Sequence, residues 1–283
     1  MPLPLALSRG IAAAAALTFV ITAFAEEPAE KSVGPVPRGL QIDAYYQKYY
    51  DAGGIPVVAS ERVADEALIA AGVVIERMLE TRPPLRAALI DGGARLAIIG
   101  KNEATTDLPE YDFLRDRKAY WDERARGFGG TPALPMTSAA EENVLGLKSD
   151  RYRGESILIH EFAHAVHLIG LKAIDETFDD RLERTYRAAI DAGLWEKTYA
   201  RTNRSEYFAE GVQCYFDCDA AADPPNGVHN RIRTREQLRT YDPALFELID
   251  DAFGRNPWRW TPIGVHAEKW PAKDQKTEHA GKR

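Results

Sequence analysis

Apolar side chains recur at helical spacing through residues 61–80, and this pattern stops at Pro83 and Pro84. A short run rich in β-branched residues follows at 94–100 and predicts a buried strand. From residue 155 onward the spacing is helical again. It predicts helices over about 155–171, 176–192, 204–217 and 242–253.

Capping signals define two of the later helices. Asp242 is placed to cap the helix over 242–253, which Gly254 follows. Thr234 and Gln237 have the spacing of a capping box and predict a further short helix. Residues 101–153 are rich in glycine, proline and aromatic residues and predict a long loop region. The pattern as a whole predicts an α+β fold that is mainly helical, with a small sheet before the helical half.

The two ends of the chain differ from this middle part. Residues 1–25 contain Arg9, an apolar run over 11–24 and a small-x-small sequence ending at Ala25, the pattern of a cleaved secretory signal peptide. An anchor helix is the alternative, but the run is shorter than the roughly 20 residues that span a bilayer. The sequence therefore predicts export to the periplasm or the exterior, with no stable membrane anchor after cleavage.

The remaining boundaries follow from composition. Residues 26–39 predict a flexible leader, 40–268 a single domain, and 269–283 a disordered charged tail. The chain has 283 residues, 45% of them hydrophobic and 28% charged, which is typical of a soluble globular protein. Its net charge of −7 and the lack of a concentrated basic tract exclude an electrostatic nucleic-acid surface.

Three of the six histidines lie in the predicted helix over 155–171. His160 and His164 are four residues apart, so their imidazoles stand on one helix face and can reach one zinc ion. Glu161 lies beside that face, where a carboxylate can hold the water that a metal activates. This H-E-x-x-H spacing predicts a zinc site; the alternative is a core helix whose histidines are satisfied by hydrogen bonds.

A catalytic zinc needs a third protein ligand. One large class of zinc peptidases places a histidine six residues after the second one, but here that position is Gly170. His167 lies off the metal face and is expected to have a structural role, such as bonding a backbone carbonyl. The other histidines lie in a loop or the tail: His229, His266 and His279.

A carboxylate is therefore the better third ligand. Glu206 and Glu210 are one helical turn apart on the predicted helix over 204–217. Individually, Glu206 could complete a capping box with Asn203, and Glu210 could be a solvated charge. Together they fit one metal ligand and one carboxylate that orients a metal-bound imidazole.

Two stretches carry a family resemblance, HEFAHAVH and the later TYARTNRSEYFAE. Over about 60 residues, 157–216, the chain resembles the catalytic domain of anthrax lethal factor and the related Pro-Pro endopeptidases, which are secreted, gluzincin-like zinc metallopeptidases. The resemblance implies a zincin-like fold. Upstream of this region it does not extend, so it implies nothing about substrate choice.

The resemblance also implies roles for individual residues. His160, His164 and Glu206 would be the ligands of one Zn²⁺, and Glu161 would be the general base. Tyr199 would donate a hydrogen bond to the developing oxyanion. The implied activity is hydrolysis of peptide bonds in a protein or peptide substrate. A non-catalytic binding or envelope protein on the same scaffold, and a zinc hydrolase of non-peptide amides or esters, are the alternatives.

Two further features concern the cysteines and the substrate. Cys214 and Cys218 are close in sequence, which in an exported protein predicts a disulfide bridge. A thiolate zinc ligand is the alternative. Peptides commonly bind to an exposed sheet edge, and residues 94–100 and 131–139 are both candidates for it. The glycines over 127–130 predict either a flap hinge or a plain turn.

Overall fold

A computed structural model of the chain describes residues 32–269. The predicted signal peptide, residues 26–31 of the predicted leader and all but Lys269 of the predicted tail lie outside the described residues.

One mixed sheet of six strands forms the first part of the fold. Its order is β1-β2-β3-β4-β6-β5, with β3, β4 and β6 parallel to one another and the other pairs antiparallel. Two glycines with positive φ make the tight turn between β2 and β3, a conformation that costs glycine little. The strands are β1 Gly34–Pro35, β2 Lys48–Ala52, β3 Ile55–Ala59, β4 Arg95–Ile99, β5 Gly127–Phe128 and β6 Met136–Ala140.

Helices surround the sheet and form most of the second part of the chain. The α-helices before residue 150 are α1 Asp65–Met78, α2 Pro83–Asp91, α3 Lys118–Arg124 and α4 Glu141–Val144. Those after it are α5 Ile157–Ala165, α6 Lys172–Ile174, α7 Phe178–Asp191, α8 Arg204–Tyr215, α9 Arg235–Tyr241, α10 Pro243–Ala252 and α11 Gly264–Lys269. Three 3₁₀ segments, Thr105–Asp107, Pro109–Arg117 and Tyr199–Arg201, and one π segment, Val166–Leu171, complete the list.

The predicted coarse architecture, α+β with more helix than strand, is confirmed. Each predicted helix has a counterpart, and β4 matches the predicted strand. The predicted caps are also present: Asp242 accepts a hydrogen bond from the Leu245 amide at 3.1 Å, and Thr234 and Gln237 form the capping box.

The predicted helix over 61–80 ends before Pro83, as expected, and Pro83 and Pro84 then begin α2, since proline fits the first turn of a helix. Two sequence predictions are corrected. The region 101–153 is not one long loop, because it contains β5, β6, α3, α4 and two 3₁₀ segments. The fold begins at Gly34, inside the predicted leader, because Gly34 and Pro35 pair with β2.

Helix α5 is in contact with both β6 and α8. Its residues Leu158, Ile159 and Phe162 are fully buried. Each such side chain contributes about 1.5–3 kcal/mol on burial. Among the described residues, Ile157–Ile174 is the one stretch long and apolar enough to cross a membrane, but 61% of it is buried, as expected of a core helix.

Candidate metal centre

Two neighbouring helices supply the side chains that could hold a metal ion. Ser156 caps the start of α5, its Oγ accepting a hydrogen bond from the Ile159 amide. Asn203 caps α8 through Oδ1, which accepts hydrogen bonds from the amides of Ser205 at 2.8 Å and Glu206 at 3.0 Å. The Asn203 side chain caps the helix without the Glu206 side chain, which is therefore free to extend toward α5.

His160, His164 and Glu206 converge on one point. Glu206 Oε2 lies 3.1 Å from His160 Nε2 and 3.3 Å from His164 Nε2. One ligand atom from each of the three residues lies within 4.8 Å of the others. Tetrahedral zinc with bonds of about 2.0–2.2 Å holds its nitrogen and oxygen ligands about 3.3–3.5 Å apart. The three side chains can therefore hold a metal ion of this kind with little rearrangement.

Gln213, which the sequence did not single out, is the nearer partner of His160. The Gln213 amide nitrogen donates to the Ser156 carbonyl oxygen at 3.2 Å, so its Oε1 faces His160 Nδ1 at 2.8 Å. His160 must then donate through Nδ1–H, which leaves Nε2 facing Glu206. Glu210 also contacts Nδ1, but at 3.4 Å. The signal for Gln213 was its spacing, because positions 206, 210 and 213 share one helix face.

The imidazoles and the carboxylate of this group each stabilise the charged form of the other. Burial alone would lower the pKa of His160, but the hydrogen bond to Glu206 and the charges of Glu161 and Glu210 raise it to about 10. Burial alone would raise the pKa of Glu206, yet its hydrogen bonds with His160 and His164 bring that pKa well below its usual range. Glu206 is therefore a carboxylate at neutral pH, the form that binds a cation.

Glu161 and Tyr199 line the same cleft as the three candidate ligands. Burial raises the pKa of the Glu161 carboxyl, and the charges of His160 and His164 oppose this effect. A general base with a raised pKa is better matched to proton transfer near neutral pH. Burial and the charges of Glu206 and Glu161 raise the pKa of Tyr199 to about 12, so its hydroxyl keeps its proton.

The cleft has a volume of about 1170 Å³. Its walls carry many aromatic side chains, namely Tyr120, Trp121, Phe128, Tyr152, Tyr186 and Tyr199. Such a volume and composition are typical of sites that bind organic ligands.

Strand β5 forms both an edge of the sheet and a wall of this cleft. It pairs with β6 on one side only. The two edge candidates from the sequence are wrong, because β4 lies between β3 and β6, and β6 lies between β4 and β5. Of the two alternatives for residues 127–130, neither anticipated that Gly127 belongs to a strand; a two-residue strand has no periodicity that could reveal it.

His167 has a structural role, as expected, although its partner is a carboxylate and not a carbonyl. It is fully buried in the π segment, and its Nε2 lies 2.8 Å from Asp179 Oδ1. His266, also fully buried, accepts a hydrogen bond from the Gly154 amide and donates one to the Asn143 carbonyl oxygen. Neither imidazole belongs to the group of three candidate ligands.

The predicted Cys214–Cys218 bridge is not formed, because both cysteines are buried free thiols. Cys214 Sγ donates to Asp219 Oδ2 at 3.2 Å, and Cys218 Sγ donates to the Gln213 carbonyl oxygen at 3.3 Å. Helix α8 ends at Tyr215 and the chain then turns, so the two thiols bond to different acceptors. Neither thiol joins the three candidate ligands.

Comparison with known proteins gives no family for this chain. No family model matches it, and no curated protein matches it.

Proposed function

We propose that this chain is an exported, zinc-dependent metallopeptidase with a zincin-like catalytic domain. The observation that carries the proposal is the convergence of His160, His164 and Glu206 beside the cleft-lining carboxylate of Glu161. A structural metal site needs no carboxylate next to its ligands, whereas a hydrolase needs a base. The H-E-x-x-H spacing and the resemblance to secreted zinc peptidases support the same conclusion.

Zinc fits the donor set better than the other common divalent cations. Two imidazoles and one carboxylate are the ligands of many catalytic zinc sites, whereas Ca²⁺ and Mg²⁺ prefer oxygen ligands alone. His160, His164 and Glu206 would hold the ion, and Gln213 would keep His160 in the tautomer that leaves Nε2 available. When bound, zinc supplies Lewis acidity that polarises a carbonyl group and makes water a nucleophile near neutral pH.

The chain's own side chains would move the protons of the reaction. Glu161 would take a proton from the attacking water and later deliver it to the leaving amine. Tyr199 would donate its hydroxyl hydrogen to the oxyanion that develops on the scissile carbonyl. Because the pKa of Tyr199 is about 12, the hydroxyl would remain a donor throughout the neutral range.

The substrate would lie extended along β5. The outer side of this strand has no neighbour within the sheet, so its backbone can pair with a peptide. Gly127 and Gly129 lie directly against Glu161 and His164, respectively. A peptide paired with β5 would therefore pass beside the base and the metal ligands.

A peptide library incubated with zinc-loaded protein tests this proposal. We expect cleavage by the wild type. The rate of Glu161→Gln should be lower by a factor of about 10²–10⁴, the range attributed to one general base. The exposed Glu176 provides the matched control, and Glu176→Gln should cleave like wild type.

Zinc content is measured on the same samples by mass spectrometry. All three proteins should contain the ion bound by the His160, His164 and Glu206 side chains. Undiminished cleavage by Glu161→Gln, or no cleavage of any library peptide by zinc-loaded wild type, would contradict the proposal. Cleavage of non-peptide esters or amides alone would assign the site to another hydrolase class.

A further inference from the structure

A second group of side chains that could hold a metal ion shares no residue with the three candidate zinc ligands. Glu155 precedes α5, Asp219 follows α8, and His229 lies in the loop that leads to α9. One ligand atom from each lies within 4.8 Å of the others. The three residues come from separate segments of the chain, so only the fold brings them together.

The contacts within this group are not ordinary hydrogen bonds. His229 Nδ1 lies 3.3 Å from Asp219 Oδ1, and His229 Nε2 lies 3.5 Å from Glu155 Oε1. Both distances exceed the range of about 2.7–3.2 Å for N–H···O bonds. His229 Nδ1 and Asp219 Oδ1 are both buried atoms without a hydrogen-bond partner, and the Asp219 side chain is only 2% exposed. Polar atoms buried in this way normally have a partner.

The surroundings of the group are strongly acidic. The buried carboxyl of Glu210 lies near enough to interact electrostatically with Asp219, His229 and Glu155. On the cationic side, the charge of Arg233 acts on Asp219. Burying several carboxylates close together is unfavourable unless positive charge compensates them. A divalent cation would supply that charge while the imidazole stays neutral.

We propose that Glu155, Asp219 and His229 bind a second divalent transition-metal cation, of the Zn²⁺ or Mn²⁺ class. An imidazole with two carboxylates suits these ions, whereas Ca²⁺ and Mg²⁺ favour oxygen ligands alone. Ligands of one tetrahedral ion lie about 3.3–3.5 Å apart, and His229 Nδ1 lies 3.3 Å from Asp219 Oδ1. Because one cation takes only one ring nitrogen, we expect the imidazole to rotate on binding.

The position of this second site gives it a structural consequence. The cation would tie the start of α5 to the end of α8 and to the loop that carries Val228 and His229. The Val228 carbonyl oxygen accepts a hydrogen bond from the Tyr199 amide at 2.8 Å. Binding would therefore also fix the backbone at Tyr199, the residue proposed to stabilise the oxyanion.

Equilibrium dialysis of the metal-free full chain against Zn²⁺ alone, and separately against Mn²⁺ alone, tests the second site. Bound metal is counted by mass spectrometry, so the readout does not depend on peptidase activity. We expect two equivalents in wild type with at least one of the two ions. His229→Gln and Glu155→Gln should each bind one equivalent, and His164→Ala should also bind one.

Asp223→Asn is the matched control, since Asp223 is an exposed carboxylate of the same loop. It should bind two equivalents. Circular dichroism confirms that each variant is folded, and a variant that fails to fold is replaced by the other substitution of the second site. One equivalent in wild type with both ions, or two equivalents left unchanged by both His229→Gln and Glu155→Gln, would overturn the second site. Neither result would contradict the first site, because the metal bound there is measured separately as the equivalent lost in His164→Ala.

Discussion

Gln213 decides which nitrogen of His160 faces the cleft. Its side chain is fully buried between the Ser156 carbonyl oxygen and the His160 ring, and both of its polar atoms are bonded. The amide therefore cannot rotate without breaking two hydrogen bonds. A buried partner of this kind fixes both the tautomer and the orientation of a metal-bound imidazole.

Gln213→Leu should weaken zinc binding about 10–100-fold, the range typical for loss of a group that orients a ligand. Competition with a chromophoric chelator measures the affinity. Gln47→Leu, at an exposed position, is the matched control and should bind zinc like wild type. Equal affinities for Gln213→Leu and wild type would show that His160 is oriented by other contacts.

The sequence could predict the candidate site where the signal lies within one helix. His160, Glu161 and His164 follow from a four-residue spacing, and Glu206 with Glu210 from another. Gln213 has the same helical spacing, but an amide has no distinctive chemistry until a neighbouring imidazole is known. The role of His229 could not be predicted, because Glu155 and Asp219 lie in distant segments of the chain and no sequence spacing relates them to His229.

Gly129, the residue directly after β5, lies so close to α5 that a side chain there has no room. A Cβ at Gly129 would come within 2.5 Å of His164 Cβ and 2.7 Å of its Cδ2. The first of these atoms belongs to the rigid part of the side chain. Either the backbone at residue 129 or His164 must therefore move if residue 129 gains a methyl group.

Gly129→Ala should reduce peptidase activity by at least tenfold, because small displacements of catalytic groups have large effects on rate. Initial rates on the best library peptide measure this effect. Gly39→Ala is the control, because a Cβ at Gly39 meets no atom within 4 Å. Wild-type activity in Gly129→Ala would mean that the strand moves aside at no functional cost.

The π segment after α5 holds His167 in a position where protonation is unfavourable. Burial lowers the pKa of His167, and the hydrogen bond to Asp179 only partly opposes this effect. In the unfolded chain the same group has its ordinary pKa of about 6.5. Below that pH the unfolded state binds a proton that the folded state resists, so this group destabilises the fold as pH falls.

Between pH 7.5 and pH 5.5 this titration should lower the free energy of unfolding of the metal-free wild type relative to that of His167→Gln. Urea unfolding at the two pH values measures the difference. Other titrating groups are common to both proteins and cancel in the comparison. An equal change in the free energy of unfolding of wild type and variant would contradict the assignment of a lowered pKa to His167.

The elements that the sequence predicted well are long enough to show a period. Helices α1, α7, α8 and α10 each carry at least two turns of regular spacing. Strands β1 and β5 have two residues each, which is too short for any alternation. Pro83 and Pro84, the first two residues of α2, follow the end of α1 and also fit the first turn of α2, and the sequence prediction used only the first of these two signals.

Across the whole molecule, Asn256 joins the end of α1 to the segment after α10. Its fully buried side chain donates to the carbonyl oxygens of Arg77 at 2.7 Å and Met78 at 3.1 Å, and its Oδ1 accepts from the Trp258 amide at 2.8 Å. The carbonyl groups at the end of a helix have no partner within it. Asn256, which lies far from α1 in the sequence, thus supplies hydrogen bonds to the last carbonyl groups of α1.

Asn256→Ala should lower the free energy of unfolding by about 1–3 kcal/mol, because it leaves buried backbone groups without partners. Urea denaturation measures this quantity, with the exposed Asn102→Ala as the control. Zinc binding should be unchanged in the folded variant, since Asn256 is not part of the metal centre. A decrease in the free energy of unfolding of less than about 0.5 kcal/mol, as is usual for surface substitutions, would contradict this role of Asn256.

The buried thiols have a consequence for how such a protein would mature. Burial raises the pKa of both Cys214 and Cys218 well above the ordinary value, so almost no reactive thiolate forms in the folded chain. In the oxidising compartment proposed for this protein, folding would compete with disulfide-forming enzymes for the exposed, newly translocated cysteines. Once buried in the folded protein, Cys214 and Cys218 would need neither a reductant nor an isomerase to remain free thiols.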